Sequence, residues 1–290
     1  MGKIDGKAIL MGLAFGLMWA SAFTSARVIV QYAPPLYALA FRFLLSGVFG
    51  VFLARMMGQS WHLTRRQWVA VLVFGISQNA LYLGLNFIAM QTIEASLAAI
   101  VASTMPLLVG VASWLVFGEK IRPLGIAGLV AGMIGVALIM GARLQGTVDL
   151  FGLGLCVVAV ISLTVATLSV RGASSGGNFL MIVGLQMLVG SAMLWIPALA
   201  FETFDVTWSW QLIVAFTYTV IVPGLGATLI WFYLVDRIGA TPAAVFHFLT
   251  PFFGVSIAAM LLGEKLGSMD IIGVLIITGG ILAVQLSKQR

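Results

Sequence analysis

The sequence predicts an all-α integral membrane protein in which ten transmembrane helices form two inverted five-helix repeats. The first observation is composition: the 290-residue chain is 61% hydrophobic and 8% charged, with a mean hydropathy of +1.13. Soluble domains carry roughly a quarter charged residues, and no single soluble core could hide this much apolar surface. The second is segmentation: ten apolar stretches lie between charged or Pro/Gly/Asn breaks, each near the about 20 residues needed to cross a bilayer. The third is an internal repeat. Ala95, Ala99, Pro106, Gly118-Glu119-Lys120, Ile126, Gly128 and Gly135 recur in register as Ala240, Ala244, Pro251, Gly263-Glu264-Lys265, Ile271, Gly273 and Gly280. A repeat fixes the building unit before any element is assigned, here residues 1–146 and 147–290. An odd number of spans per unit places the second copy upside down relative to the first, which is the plan of a secondary transporter.

Span one, about 8–30, follows Lys3 and Lys7. Basic residues before an apolar run, with Ala20-Ser21-Ala22 after it, also fit a cleavable signal peptide. The apolar stretch runs on to Val30, and cleavage would break the match between halves, so we read it as an uncleaved helix. Phe15, Trp19 and Phe23 stand at four-residue steps, with Ser21 and Thr24 alongside. Trp19 lies near mid-membrane, away from the interfacial belts that tryptophan prefers, and is assigned to a cavity wall.

Span two, 36–55, contains Arg42, the one cation well inside a span, about 10 Å from the outer end at 1.5 Å per residue. It either snorkels outward or pairs with Glu94, or else forms a carboxylate-binding site near the outer mouth. Span three, 68–89, carries Gln78, Asn79, Tyr82 and Asn86. Helical spacing puts Asn79, Tyr82 and Asn86 on one face, either bridging neighbouring helices or lining a cavity; the aligned stripe favours the cavity. Spans four, 95–117, and nine, 241–262, are interrupted by Pro106 and Pro251, each removing a helical hydrogen bond near mid-span. Each proline is a static kink or a hinge, and their symmetric placement favours a hinge. Span nine adds His247, Thr250 and Gly254 at helical spacing with Pro251. A lone imidazole beside a kink is a candidate substrate contact, although packing is the commoner role. Glu119 and Glu264 are read as caps of the corners they occupy.

Spans five, 123–141, and ten, 269–286, carry Gly125, Gly128, Gly132 and Gly135, and Gly273, Gly279 and Gly280. Such small residues let backbones approach closely, within the chain or against a second copy. Span six, 150–170, holds Cys156, the single cysteine, expected to pack as a small apolar residue. Span seven, 179–201, has Gln186 where the first half has Arg42, and span eight, 210–235, completes the set.

Eleven basic residues fall in segments on the side of the N-terminus and three, Arg27, Arg143 and Lys265, on the other. The positive-inside rule then puts both termini in the cytoplasm and makes the net charge of +6 a topology marker rather than a nucleic-acid signal. All nine carboxylates lie at span ends or in connections, which argues against a membrane-embedded enzyme. No selectivity element or sensing domain suggests a channel or receptor. No cofactor or metal is expected, since no second ligand stands near His247 or Cys156 at ligand spacing.

The paired segments ASLAAIVASTMPLLVGVASWLVFGEK and AAVFHFLTPFFGVSIAAMLLGEK, each followed by a glycine-rich span, resemble the EamA-type repeat of the drug/metabolite transporter superfamily. The resemblance covers essentially the whole chain and is strongest over spans 4–5 and 9–10. It implies a central cavity walled by spans 1–4 and 6–9, with 5 and 10 as supports. Within the superfamily, the chain is most similar to bacterial inner-membrane exporters of amino acids, aromatic ones included; other small solutes such as nucleosides or drugs are the alternative. The implied partners are a small-molecule substrate and the lipid bilayer, with the protein a monomer or weak homodimer. The expected mechanism is alternating access, uniport-like because no carboxylate lies mid-span. The substrate-cavity set is Trp19, Arg42, Gln78, Asn79, Tyr82, His247 and Thr250.

Overall fold

A computed structural model of the chain describes residues 6–118, 122–143, 148–169, 177–238, 243 and 246–289. Every regular element among them is helical. Seven helices have the length and apolarity to cross a membrane: Gly6–Ile29, Pro35–Met56, Arg65–Ala89, Ala95–Val116, Leu150–Leu168, Phe179–Phe201 and Trp210–Trp231. Three shorter apolar helices, Pro123–Ile139, Thr250–Leu262 and Ser268–Val284, occupy the expected spans five, nine and ten. Leu45, Val48, Phe49 and Phe52 of span two are exposed, as lipid-facing side chains should be.

The chain forms two compact units, each drawing on both halves of the sequence. One comprises Met1–Thr24, Thr92–Leu153 and Gly226–Arg290; the other comprises Ser25–Gln91 and Gly154–Leu225.

In the first unit, spans five and ten pack backbone to backbone. A methyl group added at Gly280 would lie 2.6 Å from the Gly128 carbonyl, and one at Gly135 would lie 2.8 Å from the Gly273 carbonyl. As one chain climbs from 128 to 135, its partner descends from 280 to 273, so the helices are antiparallel. Gly132 admits Leu107 of span four, and Ile100, Leu129, Ile139, Val255, Ile277 and Ile281 close a core around this seam. Gly279, expected to share in the packing, has nothing within 4 Å of where its side chain would be. The helical period turns it off the face that its neighbour Gly280 occupies.

Spans four and nine are each broken two residues before a proline. The first helix of span four ends at Ser103, Thr104 intervenes, and the helix resumes as Met105–Phe117 with Pro106 at its second position. Span nine runs as a 3-10 turn, Phe246–Leu249, and then as Thr250–Leu262 with Pro251 at its second position. Proline fits the first helical turn because its missing N–H is not needed there. Both helices end on a left-handed glycine, Gly118 at φ 65° and Gly263 at φ 68°.

Glu264 corrects a sequence expectation. Its carboxylate accepts the N–H groups of Ala95 (2.8 Å) and Ser96 (2.9 Å), capping the start of span four and not its own corner. The end of span nine therefore meets the start of span four, another antiparallel pair. Glu119 lies outside the described residues, as do Ala240 and Ala244. Asp149 opens span six by accepting from the N–H groups of Phe151 and Gly152, and its Oδ2 receives the Thr92 hydroxyl at 2.6 Å. The Thr92 bond, with the Gly152 and Phe151 amides behind it, holds this carboxyl below the usual carboxylate range.

In the second unit, spans two and seven are clamped at both ends. Glu202, just past span seven, accepts the N–H groups of Leu36 (2.9 Å) and Tyr37 (3.1 Å) at the start of span two. At the opposite end, the Met181 N–H donates to Gln59 Oε1 (3.0 Å) and the Ser60 N–H to Asn178 Oδ1 (2.8 Å). Gly47 and Gly50 receive Leu188 and Gly184 between the clamps. Spans three and eight carry matching π-helical segments, Gly75–Tyr82 and Val220–Gly226, beginning at equivalent positions of the two halves. Pro223 accounts for the second by removing a helical N–H.

Gly280→Ala is expected to destabilise the protein by about 1–3 kcal/mol, because the added methyl meets backbone that cannot yield. Gly279→Ala, into open space, should leave stability unchanged or slightly raised. Thermal unfolding of the two variants in detergent, side by side, checks the seam; equal melting temperatures would refute it.

Candidate substrate site

The first unit gathers four rings. Phe15 and Trp19 are one turn apart on span one, with centroids 5.9 Å apart. Gly12 and Gly16 of the same helix let Phe246 and Leu249 of the 3-10 turn approach, and that turn presents His247. The imidazole stands edge-on to Phe15 at 5.0 Å and to Trp19 at 6.2 Å. Trp231 of span eight completes the group, 4.8 Å from Phe15 and 5.1 Å from His247. Phe15 is buried, whereas Trp19, Trp231 and His247 are half-buried and keep ring surface accessible. Edge-to-face rings of this kind can stack on an aromatic or amphipathic solute. Thr250, next to the break at Pro251, is buried and its Oγ1 has no hydrogen-bond partner among the described residues. Gly254, by contrast, packs against Ala99 of span four.

The second unit holds the remaining candidates. Asn79 is 2% exposed, and its amide donates to the Gln186 carbonyl of span seven at 2.9 Å, with its Cβ against Gly190. Asn86 donates to the Tyr82 carbonyl one turn back, and its Oδ1 lies 3.5 Å from the buried Cys156 thiol. Tyr82 is fully buried, while Gln78 is half-buried. The π-helical turn shifts the phase of span three between Gly75 and Tyr82, so the spacing of an ordinary helix does not describe this stripe. Arg42 is 5% exposed, its guanidinium carbon is 5.2 Å from the Phe43 ring centroid, and its Nε has no hydrogen-bond partner among the described residues.

Sequence reading singles out Trp19 and His247 separately, as a wall residue and a candidate contact, without foreseeing that their rings meet at 6.2 Å, and it misses Trp231. A half-apolar tryptophan near the end of a span reads as an interfacial belt residue, and nothing in its spacing announces a contact with span one. Among the described residues, no group of three or more His, Cys, Asp or Glu side chains is placed to hold a metal ion.

A model of the EamA-like transporter family matches residues 6–141 and, a second time, residues 150–286. The chain belongs to the EamA-like transporter family. It is 28% identical over 270 residues to the uncharacterized transporter YvbV of Bacillus subtilis, covering 92% of this chain and 88% of that protein. It is 30% identical over 139 residues to the aromatic amino acid exporter YddG of Ancylobacter novellus, about half of each chain (48%). A solved crystal structure with 19% identity superposes with a TM-score of 0.71, covering 98% of this chain and 99% of that one. This EamA-like protein is accordingly a multi-span membrane transporter whose surroundings are lipid and whose cargo is a small molecule.

Because Asn79 ties span three to span seven, Asn79→Ala is expected to cost about 1 kcal/mol, the usual scale of an interhelical amide bond in a membrane bundle. Gln78→Ala should cost less. Thermal unfolding in detergent discriminates the two, and an unchanged melting temperature in Asn79→Ala would assign the amide to something other than packing.

Proposed function

We propose that this transporter exports small zwitterionic metabolites, most of all amino acids including aromatic ones, by alternating access down the substrate gradient. The observation that carries the reading is the open group of Trp19, Trp231 and His247 over a buried Phe15, which offers ring faces to an apolar side chain. The name of the relative from Ancylobacter novellus, an aromatic amino acid exporter, supports the same substrate class. Thr250 in the same unit, and Gln78, Asn79, Tyr82 and Arg42 in the other, are the remaining proposed substrate contacts. The chain works in a bacterial inner membrane with both termini cytoplasmic, a placement supported by the distribution of basic residues. It acts as a monomer or weak homodimer. Its substrate moves without a coupling ion, because every carboxylate lies at a span end or in a connection, where ion binding would not change the charge of the membrane interior.

Counterflow in proteoliposomes across amino acids, nucleosides and cationic drugs tests this. Labelled phenylalanine should exchange saturably, and an imposed proton gradient should not concentrate it. Trp19→Ala and Trp231→Ala should each raise its half-saturation concentration about threefold to tenfold, the worth of one aromatic contact, with a smaller effect on alanine. His247→Ala should alter affinity more than pH dependence. Exchange of nucleosides or drugs alone would replace the substrate class, and uphill uptake driven by a pH step would replace the uniport mechanism.

The broken helices at Pro106 and Pro251 are the proposed hinges. Spin-label distances across the inner and outer ends of spans four and nine should shift in opposite senses when each proline is changed to alanine. Unchanged distributions with normal transport would make both static kinks.

A further inference from the structure

The two halves repeat one contact and differ in how it is filled. On one side, the π-helical turn of span three lies on span seven: Asn79 donates its amide to the Gln186 carbonyl and rests on Gly190. On the other, the π-helical turn of span eight lies on span two, where a methyl group added at Gly224 would be 3.4 Å from Ser46 Oγ. The repeat offset maps Gln186 onto Arg42, Gly190 onto Ser46, and Asn79 onto the Pro223-Gly224 pair. The side chain that ties the first contact together is thus absent from the second, which instead carries a cation and a hydroxyl.

One buried atom of each group lacks a hydrogen-bond partner among the described residues, although the Arg42 guanidinium carbon stands 5.2 Å from the Phe43 ring centroid. Arg42 is 5% exposed and Ser46 1% exposed, and Arg42 Nε and Ser46 Oγ have no hydrogen-bond partner among the described residues. They are four residues apart, one turn along the same side of span two. A buried guanidinium Nε and a buried hydroxyl without hydrogen bonds are costly, and a helix seam does not require them, since the equivalent positions in the other half are a glutamine and a glycine. A planar guanidinium with a hydroxyl one turn away matches an anion that accepts two or more hydrogen bonds, a carboxylate in the first instance.

We infer that Arg42 and Ser46 form the subsite for the carboxylate of the transported solute. This rests on the proposed reading of the protein as an amino-acid exporter and adds the group by which it recognises them. A solute whose carboxylate is replaced by an amide or amine of the same shape should then be refused.

The test is competition for labelled phenylalanine counterflow by phenylalanine, 3-phenylpropanoate and phenylalaninamide, in full-length wild type, Arg42→Gln, Arg42→Lys and Ser46→Ala. Wild type should favour phenylalanine and 3-phenylpropanoate over the amide by about tenfold to hundredfold, the range expected for hydrogen bonds to a charged group. Arg42→Gln should bring the three within about threefold of one another. Arg42→Lys keeps the charge without the fork and should fall between; Ser46→Ala should narrow the preference about threefold. Should Arg42→Gln fail to yield monodisperse protein, the other two variants decide. Variants that retain the full wild-type preference overturn the subsite, as does a wild type that exchanges amino acids and their amides equally; both leave amino-acid export standing. A wild type that exchanges no amino acid overturns the export reading and this inference with it.

Discussion

Lipid offers a backbone N–H no partner, and the architecture of this protein follows from where those groups are satisfied. A helix start leaves unpaired donors that water would cover in a soluble protein. Here Glu202 covers the start of span two and Glu264 the start of span four, each reaching across from the end of another helix. A carboxylate in that position also answers the positive end of the helix it caps. Because the cap comes from the far end of a neighbour, it forces the two helices to run antiparallel. The glycine contact between spans two and seven then becomes possible, since antiparallel helices held at their ends can bring backbones together along their length.

The two halves are copies in plan and unequal in detail. Their prolines, left-handed glycine caps and π-helical turns stand at equivalent positions. Where copies agree, the feature serves the scaffold both need; where they part, the scaffold has been released to do something else. Trp19 and His247 meet in one unit, and Arg42 with Ser46 departs from its counterpart in the other.

Much of this was legible in the residues. Glycines at helical spacing announced close backbone packing on spans five and ten without naming the partner, because only a residue without a side chain permits such contact. Prolines announced the breaks, because they cannot join the hydrogen-bond ladder. Three things stayed hidden for physical reasons. A π-helical turn is a shift in hydrogen bonding that most residue types tolerate, so Gly75–Tyr82 leaves no signature in the spacing of Asn79 and Tyr82. The partner of Glu264 is 169 residues away in sequence, and proximity suggested its own corner instead. Trp231 joins the aromatic cluster through contacts between helices that no single helix encodes.

The reciprocal caps bear on why the two halves belong to one chain. Span two of the first half is closed by Glu202 of the second, and the start of span seven by Gln59 of the first. Either half inserted by itself would leave those donors without the groups that close them here. Joining the two halves in one chain keeps each donor and the group that closes it at a fixed stoichiometry of one to one.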